Sequence, residues 1–90
     1  MIRTFKSKAL RKLFEDADAR GVPADQVNRI ENRLATLDAS RVADDMNIAG
    51  YGLHKLTGDL KGFYAVKVTG NWRIIFRFED GEALDVDHVD

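Results

Sequence analysis

The sequence has no cysteine and no long apolar run. Without cysteine there is no disulfide and no thiolate metal site, which fits a protein of the reducing cytoplasm. Without an apolar run of about 20 residues no transmembrane helix is predicted, and the N-terminal stretch MIRTFKSKAL lacks the apolar segment of a secretory signal. The two histidines show no metal-binding spacing such as HExxH, so the sequence predicts no metal or other cofactor.

A strong net charge is also missing. The formal net charge is −1 over 90 residues, a length that predicts one domain spanning residues 1–90. This total hides an asymmetry, because residues 49–78 hold five Lys or Arg and one acid, whereas residues 79–90 hold six acids and no Lys or Arg. The composition therefore excludes a global attraction to nucleic acid or membrane and leaves room for a local basic surface.

The first part of the chain predicts two amphipathic helices joined by a short link. Ser7 is the candidate N-cap of the first helix, Gly21 the candidate residue that ends it, and Pro23 suits the first turn of the second. Apolar residues recur at helical spacing: Leu10, Leu13, Phe14 and Ala17, then Val27, Ile30, Leu34 and Leu37. We expect the outer face of the second helix to be a solvated surface; it carries Asp25, Arg29, Glu31, Asn32 and Arg33.

From residue 53 onward the apolar period changes to two, which predicts antiparallel strands. They are a short strand in GLHKL, the strand FYAVKV, a central strand Trp72–Phe78, and EALDVDHV, where Leu84 and Val86 alternate against Asp85 and Asp87. The stretch Ile2–Phe5 also alternates and is a candidate for a short first strand. Helices and strands that are segregated along the chain indicate an α+β fold, with two N-terminal helices packed on one face of a small sheet.

The central strand divides into an apolar face and a face with two arginines. Trp72, Ile74, Phe76 and Phe78 fall on one face, and Arg73, Ile75 and Arg77 fall on the other. Because two helices can cover only one face, Arg73 and Arg77 are expected on the face left to water or to a ligand. We assign further cationic or titratable residues to this uncovered side: His54, Lys55, Lys61, Lys67 and His88.

A cationic sheet face without metal ligands points to RNA or another polyanion. Metal-independent RNA cleavage needs a group that takes the proton of the 2′-OH, a charge that stabilises the phosphorane, and a group that protonates the leaving 5′-oxygen. A histidine suits the first or the third task. An arginine suits the second, because its planar fork matches phosphate oxygens. The alternative is structural, with His54 merely exposed and Arg73 and Arg77 paired across strands with Asp85 and Asp87.

Three stretches resemble the HigB branch of the RelE/ParE toxin superfamily. They are MIRTFKSKALRKLFE, GVPADQVNRIENRLATLDAS and LHKLTGDLKGFYAVKVTGNWRIIFRF, and the resemblance covers nearly the whole chain. Its most specific part is the pattern LHxLxGDxxGxYxVxVxxNWRIxFxF. The resemblance implies a RelE-like fold with a curved antiparallel sheet, and a cytoplasmic toxin of a type II toxin–antitoxin system. Such toxins are ribosome-dependent endoribonucleases, or mRNA interferases, that cut mRNA in the A site of the 70S ribosome.

The resemblance also implies partners and site residues. The partner would be a HigA-type helix-turn-helix antitoxin, and the pair would bind operator DNA and repress its own operon. His54 matches the family histidine expected to act in proton transfer, and Arg73 matches the arginine expected to hold the scissile phosphate. Lys55, Lys61 and Arg77 are then expected to bind RNA.

The chain departs from the family pattern at two places. Thr57 stands where members often carry a lysine, and Lys55 is the candidate to replace it. Relatives commonly end in a Tyr-His pair, whereas this chain ends in DVDHVD. Either the chain is truncated or the natural protein lacks that tyrosine; if the tyrosine transfers a proton, its loss would lower the cleavage rate by about 10²–10⁴. One alternative is therefore a catalytically weak or inactive homologue that binds antitoxin and acts as a co-repressor. A second is a ParE-like toxin that inhibits DNA gyrase, although such relatives lack a set comparable to His54 and Arg73.

Overall fold

Two helices lie against a four-stranded sheet in the computed structural model, which describes residues 1–90. The helices and strands are α1 (Lys8–Asp16), α2 (Val27–Ala39), β1 (His54–Lys55), β2 (Tyr64–Thr69), β3 (Trp72–Glu79) and β4 (Glu82–Val89). The sheet order is β1-β2-β3-β4 with every neighbour antiparallel. Neither helix is long and apolar enough to cross a membrane. The predicted α+β architecture is confirmed.

Helix α1 begins as predicted and ends earlier than predicted. The backbone N–H of Leu10 donates to the Ser7 hydroxyl oxygen at 3.1 Å, so Ser7 is the N-cap. The helix ends at Asp16 because Ala17 takes a left-handed φ of 55° and its N–H bonds to the Leu13 carbonyl. Gly21 therefore does not end α1. It is needed for a close approach, since a Cβ there would lie 2.8 Å from the Cβ of Ala9.

Helix α2 buries the predicted apolar stripe. Ile30, Leu34 and Leu37 are at most 1% exposed, and Val27 packs half-buried beside them. Arg33 contradicts the prediction of a solvated outer face, because it is only 9% exposed. The physical reason is the neighbouring sheet edge. Strand β1 pairs with β2 over two residues only, and the Arg33 side chain covers the edge of β2 beyond them, where it hydrogen-bonds the Lys67 carbonyl.

One face of the sheet forms the core with the helices. Val66 and Val68 of β2 and Ile74 and Phe76 of β3 are all buried in the same cluster as the apolar stripes of α1 and α2. Phe76 is among the largest fully buried side chains. The alternation predicted for the two middle strands is thus confirmed, and the opposite face of the sheet is left open.

Strand β4 carries a β-bulge that sequence periodicity does not reveal. Between the pairs Ile75–Asp87 and Arg77–Leu84, β4 has one residue more than β3, and Asp85 takes a left-handed φ of 53°. The extra residue resets the period of two. Leu84 lies opposite Arg77 on the open face, whereas Val86 enters the core, so their predicted shared face is wrong.

The bulge also decides where His88 lies. His88 pairs in register with Ile74, a core residue, and packs on the helix-covered side. The assignment of His88 to the uncovered side is therefore wrong. A strict period of two counted from the start of β4 places it there, and the bulge reverses this placement.

The N-terminal segment pairs with the last strand instead of forming a full strand. Ile2 bridges Ala83 and Phe5 bridges Val86, both in parallel orientation. The backbone N–H of Asp85 also donates to the Thr4 hydroxyl at 2.8 Å. The predicted strand Ile2–Phe5 is thus reduced to isolated bridges that cover the outer edge of β4.

Candidate functional site

The strand register places His54 and Arg73 on the same face of the sheet, the open face. The register aligns His54 with Ala65 and Ala65 with Ile75, and directly paired residues share a face. Arg73 lies two residues before Ile75 on β3 and so points the same way. From strand geometry, two strand spacings and two residue rises separate the Cα atoms of His54 and Arg73 by roughly 12 Å.

The floor of this face is apolar and separate from the main core. Ala65, Ile75 and Leu84 are buried, at 0%, 5% and 7% exposure, yet they lie outside the core cluster beneath the helices. They form a small buried apolar patch at the centre of the open face, and longer polar side chains surround it. Charges set over such a floor are less well hydrated than charges on a convex surface, so they attract a counter-ion more strongly.

His54 presents one defined nitrogen to this face. His54 is exposed, and its Nδ1 lies 3.0 Å from the Gly52 carbonyl oxygen. A carbonyl only accepts, so Nδ1 carries the proton in this hydrogen bond and the neutral ring keeps the lone pair on Nε2. The turn that precedes β1 thereby holds the imidazole in the tautomer of a proton acceptor. His54 also lines a cleft of about 370 Å³ with Lys55 and Tyr64.

Arg73 is a half-buried guanidinium without a carboxylate partner. None of the salt bridges in the chain includes it, and its Nε is the one buried side-chain N or O atom that has no hydrogen-bond partner. An unpaired buried donor of this kind is costly in a folded protein and calls for an explanation. A bound anion would supply the missing acceptor.

Arg77, on the same face of β3, is fully paired instead. Its Nε donates to Asp85 at 2.7 Å and its Nη1 donates to Glu79 at 3.0 Å. The hydrogen bonds from Asp85 and then Glu79 raise the pKa of Arg77. The alternative that the arginines only form cross-strand ion pairs is therefore correct for Arg77, whose partner is Asp85. It is not correct for Arg73, which has no carboxylate partner.

Lys55 and Lys61 meet at the end of β2. They line a cleft of about 410 Å³ whose other walls include Phe63 and Tyr64 and no carboxylate. Lys55 pairs in register with Tyr64, so it leaves β1 on the side opposite His54, and its assignment to the uncovered side is wrong. At the strand edge Lys55 also lines the neighbouring cleft of about 370 Å³ that His54 lines. The cleft of about 410 Å³ therefore combines two cations with an aromatic wall, and Lys55 is shared with the cleft that His54 lines.

His88 is placed away from these groups. Its ring stacks on Trp72 with centroids 4.3 Å apart, and its Nε2 lies 2.9 Å from the amide oxygen of buried Gln26. Burial lowers the pKa of His88, and the nearby Asp87 carboxylate opposes this effect in part. Its role is to fasten β4 to the turn before α2.

Two arginines on the predicted solvated face of α2 also line a cleft. Arg29 and Arg33 lie with Lys67 around a cleft of about 420 Å³ at the other end of β2. One signal was present in the sequence, since two arginines at positions i and i+4 of a helix repel each other and lower its stability. Their clustering with Lys67 depends on tertiary packing and was not foreseeable from spacing alone.

Two helices on one face of an antiparallel sheet, with unpaired cations on the other face, form an α+β domain consistent with the RelE-like toxin class. The model of the family described as RelE-like toxin of type II toxin-antitoxin system HigB matches residues 3–90. The chain belongs to this family.

Two curated relatives agree with the family assignment. The chain is 41% identical over 90 residues to Endoribonuclease HigB of Proteus vulgaris, and the match covers 100% of this chain and 98% of the relative. It is 34% identical over 87 residues to Toxin HigB-1 of Vibrio cholerae serotype O1, with 94% of this chain and 92% of the relative covered.

Proposed function

We propose that this toxin is a metal-independent endoribonuclease that cuts mRNA in the ribosomal A site. The observation that carries the proposal is an unpaired guanidinium, Arg73, on the same open face as an imidazole, His54, that is held as a proton acceptor. The relative from Proteus vulgaris, named an endoribonuclease, supports the reaction class. We further propose a HigA-type helix-turn-helix antitoxin as partner, and operator DNA as the target of the toxin–antitoxin complex.

In the proposed reaction the substrate ribose supplies the nucleophile. Nε2 of His54 takes the proton of the 2′-OH, and the 2′-oxygen forms a bond to phosphorus. The guanidinium of Arg73 donates to the non-bridging oxygens, whose negative charge increases in the phosphorane. The bond between phosphorus and the 5′-oxygen then breaks, and the leaving oxygen takes its electron pair. The products are a 2′,3′-cyclic phosphate and a 5′-hydroxyl.

The remaining cations hold the RNA around the reacting phosphate. Lys55, at the cleft edge beside His54, donates the proton to the leaving 5′-oxygen and so replaces the lysine that the family pattern expects at Thr57. Lys61 binds the adjoining backbone in the cleft with Phe63. Arg77 contributes less to RNA binding, because Asp85 and Glu79 already neutralise it.

The test uses the two histidines as a matched pair. Purified toxin is added to translating ribosomes and, in parallel, to the same mRNA without ribosomes, and cleavage positions and rates are measured. We expect cleavage in the A site on ribosomes. His54→Gln should lower its rate by about 10²–10⁴, the usual value for a missing proton-transfer group, whereas His88→Gln, the same change on the covered face, should stay within about threefold of the parent.

Each other result has a definite meaning. No cleavage by the parent protein contradicts the proposal and favours a non-catalytic module that binds the antitoxin. Inhibition of DNA gyrase without mRNA cleavage favours a ParE-like activity. Equal losses in His54→Gln and His88→Gln, with both proteins folded, contradict the assignment of His54 as the proton acceptor.

A further inference from the structure

Arg33 is a buried cation with no carboxylate near it. The residue is 9% exposed, and none of the salt bridges includes it. Its guanidinium lies 4.3 Å from the centroid of the Tyr51 ring, whose π face gives partial compensation. Burial lowers the pKa of Arg33; Tyr51 opposes this effect, and the neighbouring charge of Arg29 adds to it. This cation therefore lies in a site that is short of negative charge.

The hydrogen bonds of Arg33 leave one edge of its guanidinium free. Nε donates to the Lys67 carbonyl at 2.6 Å and Nη1 donates to the Arg29 carbonyl at 3.3 Å. Nη2 has no protein acceptor, and it is not among the buried atoms without a partner. Nη2 therefore reaches the surface with two N–H groups free, fixed in direction by the other two bonds and the ring.

Two exposed cations complete the cluster, which we call the α2–β2 cluster and define as Arg29, Arg33 and Lys67. Arg29 donates from Nη1 to the Val68 carbonyl at 3.1 Å. Lys67 lies over Gly52, where a Cβ would be 3.1 Å from its Cδ, so this glycine leaves room for the lysine stem. All three side chains line the same cleft of about 420 Å³, and no acid lines it.

The α2–β2 cluster is continuous with the open face. Lys67 pairs directly with Arg73 across β2 and β3, so both side chains leave the sheet on the same side. We propose that the α2–β2 cluster is a second phosphate site, which holds the RNA backbone beside the phosphate bound at Arg73. This inference rests on the proposed function for its choice of RNA as the polyanion.

Charge and geometry favour a phosphate over a carboxylate side chain of a protein partner. The cluster offers a planar fork and two flexible cations around one cleft, which suits the several oxygens of a phosphodiester. Arg73 and the α2–β2 cluster also form a continuous row of positive charges, which suits a polymer that carries a negative charge at every repeat. Without a bound anion, the repulsion among the three cations is offset only in part, by the Tyr51 ring and by backbone carbonyls.

The test measures RNA binding in the absence of cleavage. His54→Gln is the parent, and a short labelled single-stranded RNA is titrated between about 50 and 200 mM salt. The test variant adds Arg29→Gln and Lys67→Gln, both exposed, and leaves Arg33 in place because it covers the edge of β2. The matched control adds Arg11→Gln and Arg41→Gln, two exposed cations on other surfaces, and so changes the net charge equally.

We expect the test variant to bind RNA about tenfold more weakly than its parent, and the control to bind within about twofold. The slope of log affinity against log salt should fall by about 0.7 for each phosphate that the variant no longer neutralises. Thermal melting of all three proteins verifies that they fold. Equal affinity and slope in test variant and control overturn the proposal, as does a parent protein that fails to bind RNA at about 50 mM salt.

The outcome is separable from that of the proposed function. Weaker RNA binding in the test variant supports the second site even if the unaltered protein never cleaves RNA. Cleavage by the unaltered protein, together with unchanged RNA binding in the test variant, overturns the second site and leaves the proposed function intact. Unchanged RNA binding with weaker binding of an acidic peptide assigns the cluster to a protein partner and overturns the proposal.

Discussion

The two faces of the sheet carry similar residue types and use them in opposite ways. Each face has one histidine near one of its edges. On the helix-covered face His88 is stacked on Trp72 and bonded to Gln26, whereas on the open face His54 is bonded only within its own turn and stays exposed. The comparison teaches that residue type does not mark a site; what marks it is a polar group whose hydrogen-bonding capacity the protein leaves unused.

The open face repeats this contrast between its two arginines. Arg77 is neutralised because the bulge in β4 places Asp85 beside it, and Arg73, four residues earlier on the same strand, is left bare. The bulge therefore divides the face into a paired end and an unpaired end. Substitutions can test the difference between the two faces, and then the difference between the two ends.

The largest effect is expected on the stability of the covered face. Phe76→Ala removes a fully buried ring from the core and should lower the free energy of unfolding by roughly 3–5 kcal/mol. This is a large part of the total of about 5–15 kcal/mol for a small domain. Chemical denaturation measures it. Arg73→Gln, on the open face of the same strand, should leave the unfolding midpoint nearly unchanged, and a comparable loss there would break the distinction between the faces.

The next largest effect is expected on the cleavage rate, and it should differ between the unpaired and the paired end of the open face. Arg73→Gln should lower kcat on programmed ribosomes by about 10²–10³, the usual cost of one transition-state donor. Arg77→Gln makes the identical change on the same strand and should cost no more than about threefold, because its guanidinium is already occupied. Similar losses in the two variants would refute a special role for the unpaired arginine.

A smaller effect should follow if the paired end is released. Asp85→Asn removes the main partner of Arg77 and frees a cation on the open face. We expect tighter RNA binding and a salt slope steeper by about 0.7, the value for one more neutralised phosphate on a single strand. Asp80→Asn, in the turn between β3 and β4, changes the net charge equally and should leave the slope as it was. An unchanged slope in both variants would mean that Arg77 is not able to reach RNA.

The smallest effect concerns pH and the covered histidine. The pKa of His88 is lowered in the folded state by burial, so the unfolded chain binds more protons between the ordinary and the lowered pKa. Stability should therefore fall as the pH drops from about 6.5, the ordinary value, and should not depend on His88 above it. Denaturation midpoints at several pH values measure this. His88→Gln should flatten that part of the profile, and parallel profiles for the parent and His88→Gln would contradict the lowered pKa of His88.

Much of the fold could be predicted because the responsible signals are local. The Ser7 cap, the apolar stripe of α2 and the period of two in β2 and β3 each depend on residues within one element. The family pattern added His54 and Arg73, and the strand register then placed them on one face. Which end of the face stays unpaired could not be predicted, since the bulge depends on how β4 aligns with β3.

Several predictions failed because tertiary contacts decided them, and three of them show how. Arg33 was expected in solvent, and the uncovered edge of β2 together with Tyr51 buries it. Gly21 was expected to end α1, and its value lies in the contact with Ala9. His88 was assigned to the open side, and the extra residue in β4 turns it to the other. In each case the sequence carried the right residue, and a segment distant in the chain set its environment.

The bridges between the first residues and the last strand have a consequence for biosynthesis. Thr4 and Asp85, which share a hydrogen bond, are 81 positions apart, so the outer edge of β4 closes only after the chain through Asp85 has been translated. Contacts between such distant segments form slowly. The N-terminal segment of the nascent chain therefore has no strand to pair with until the intervening residues have been made.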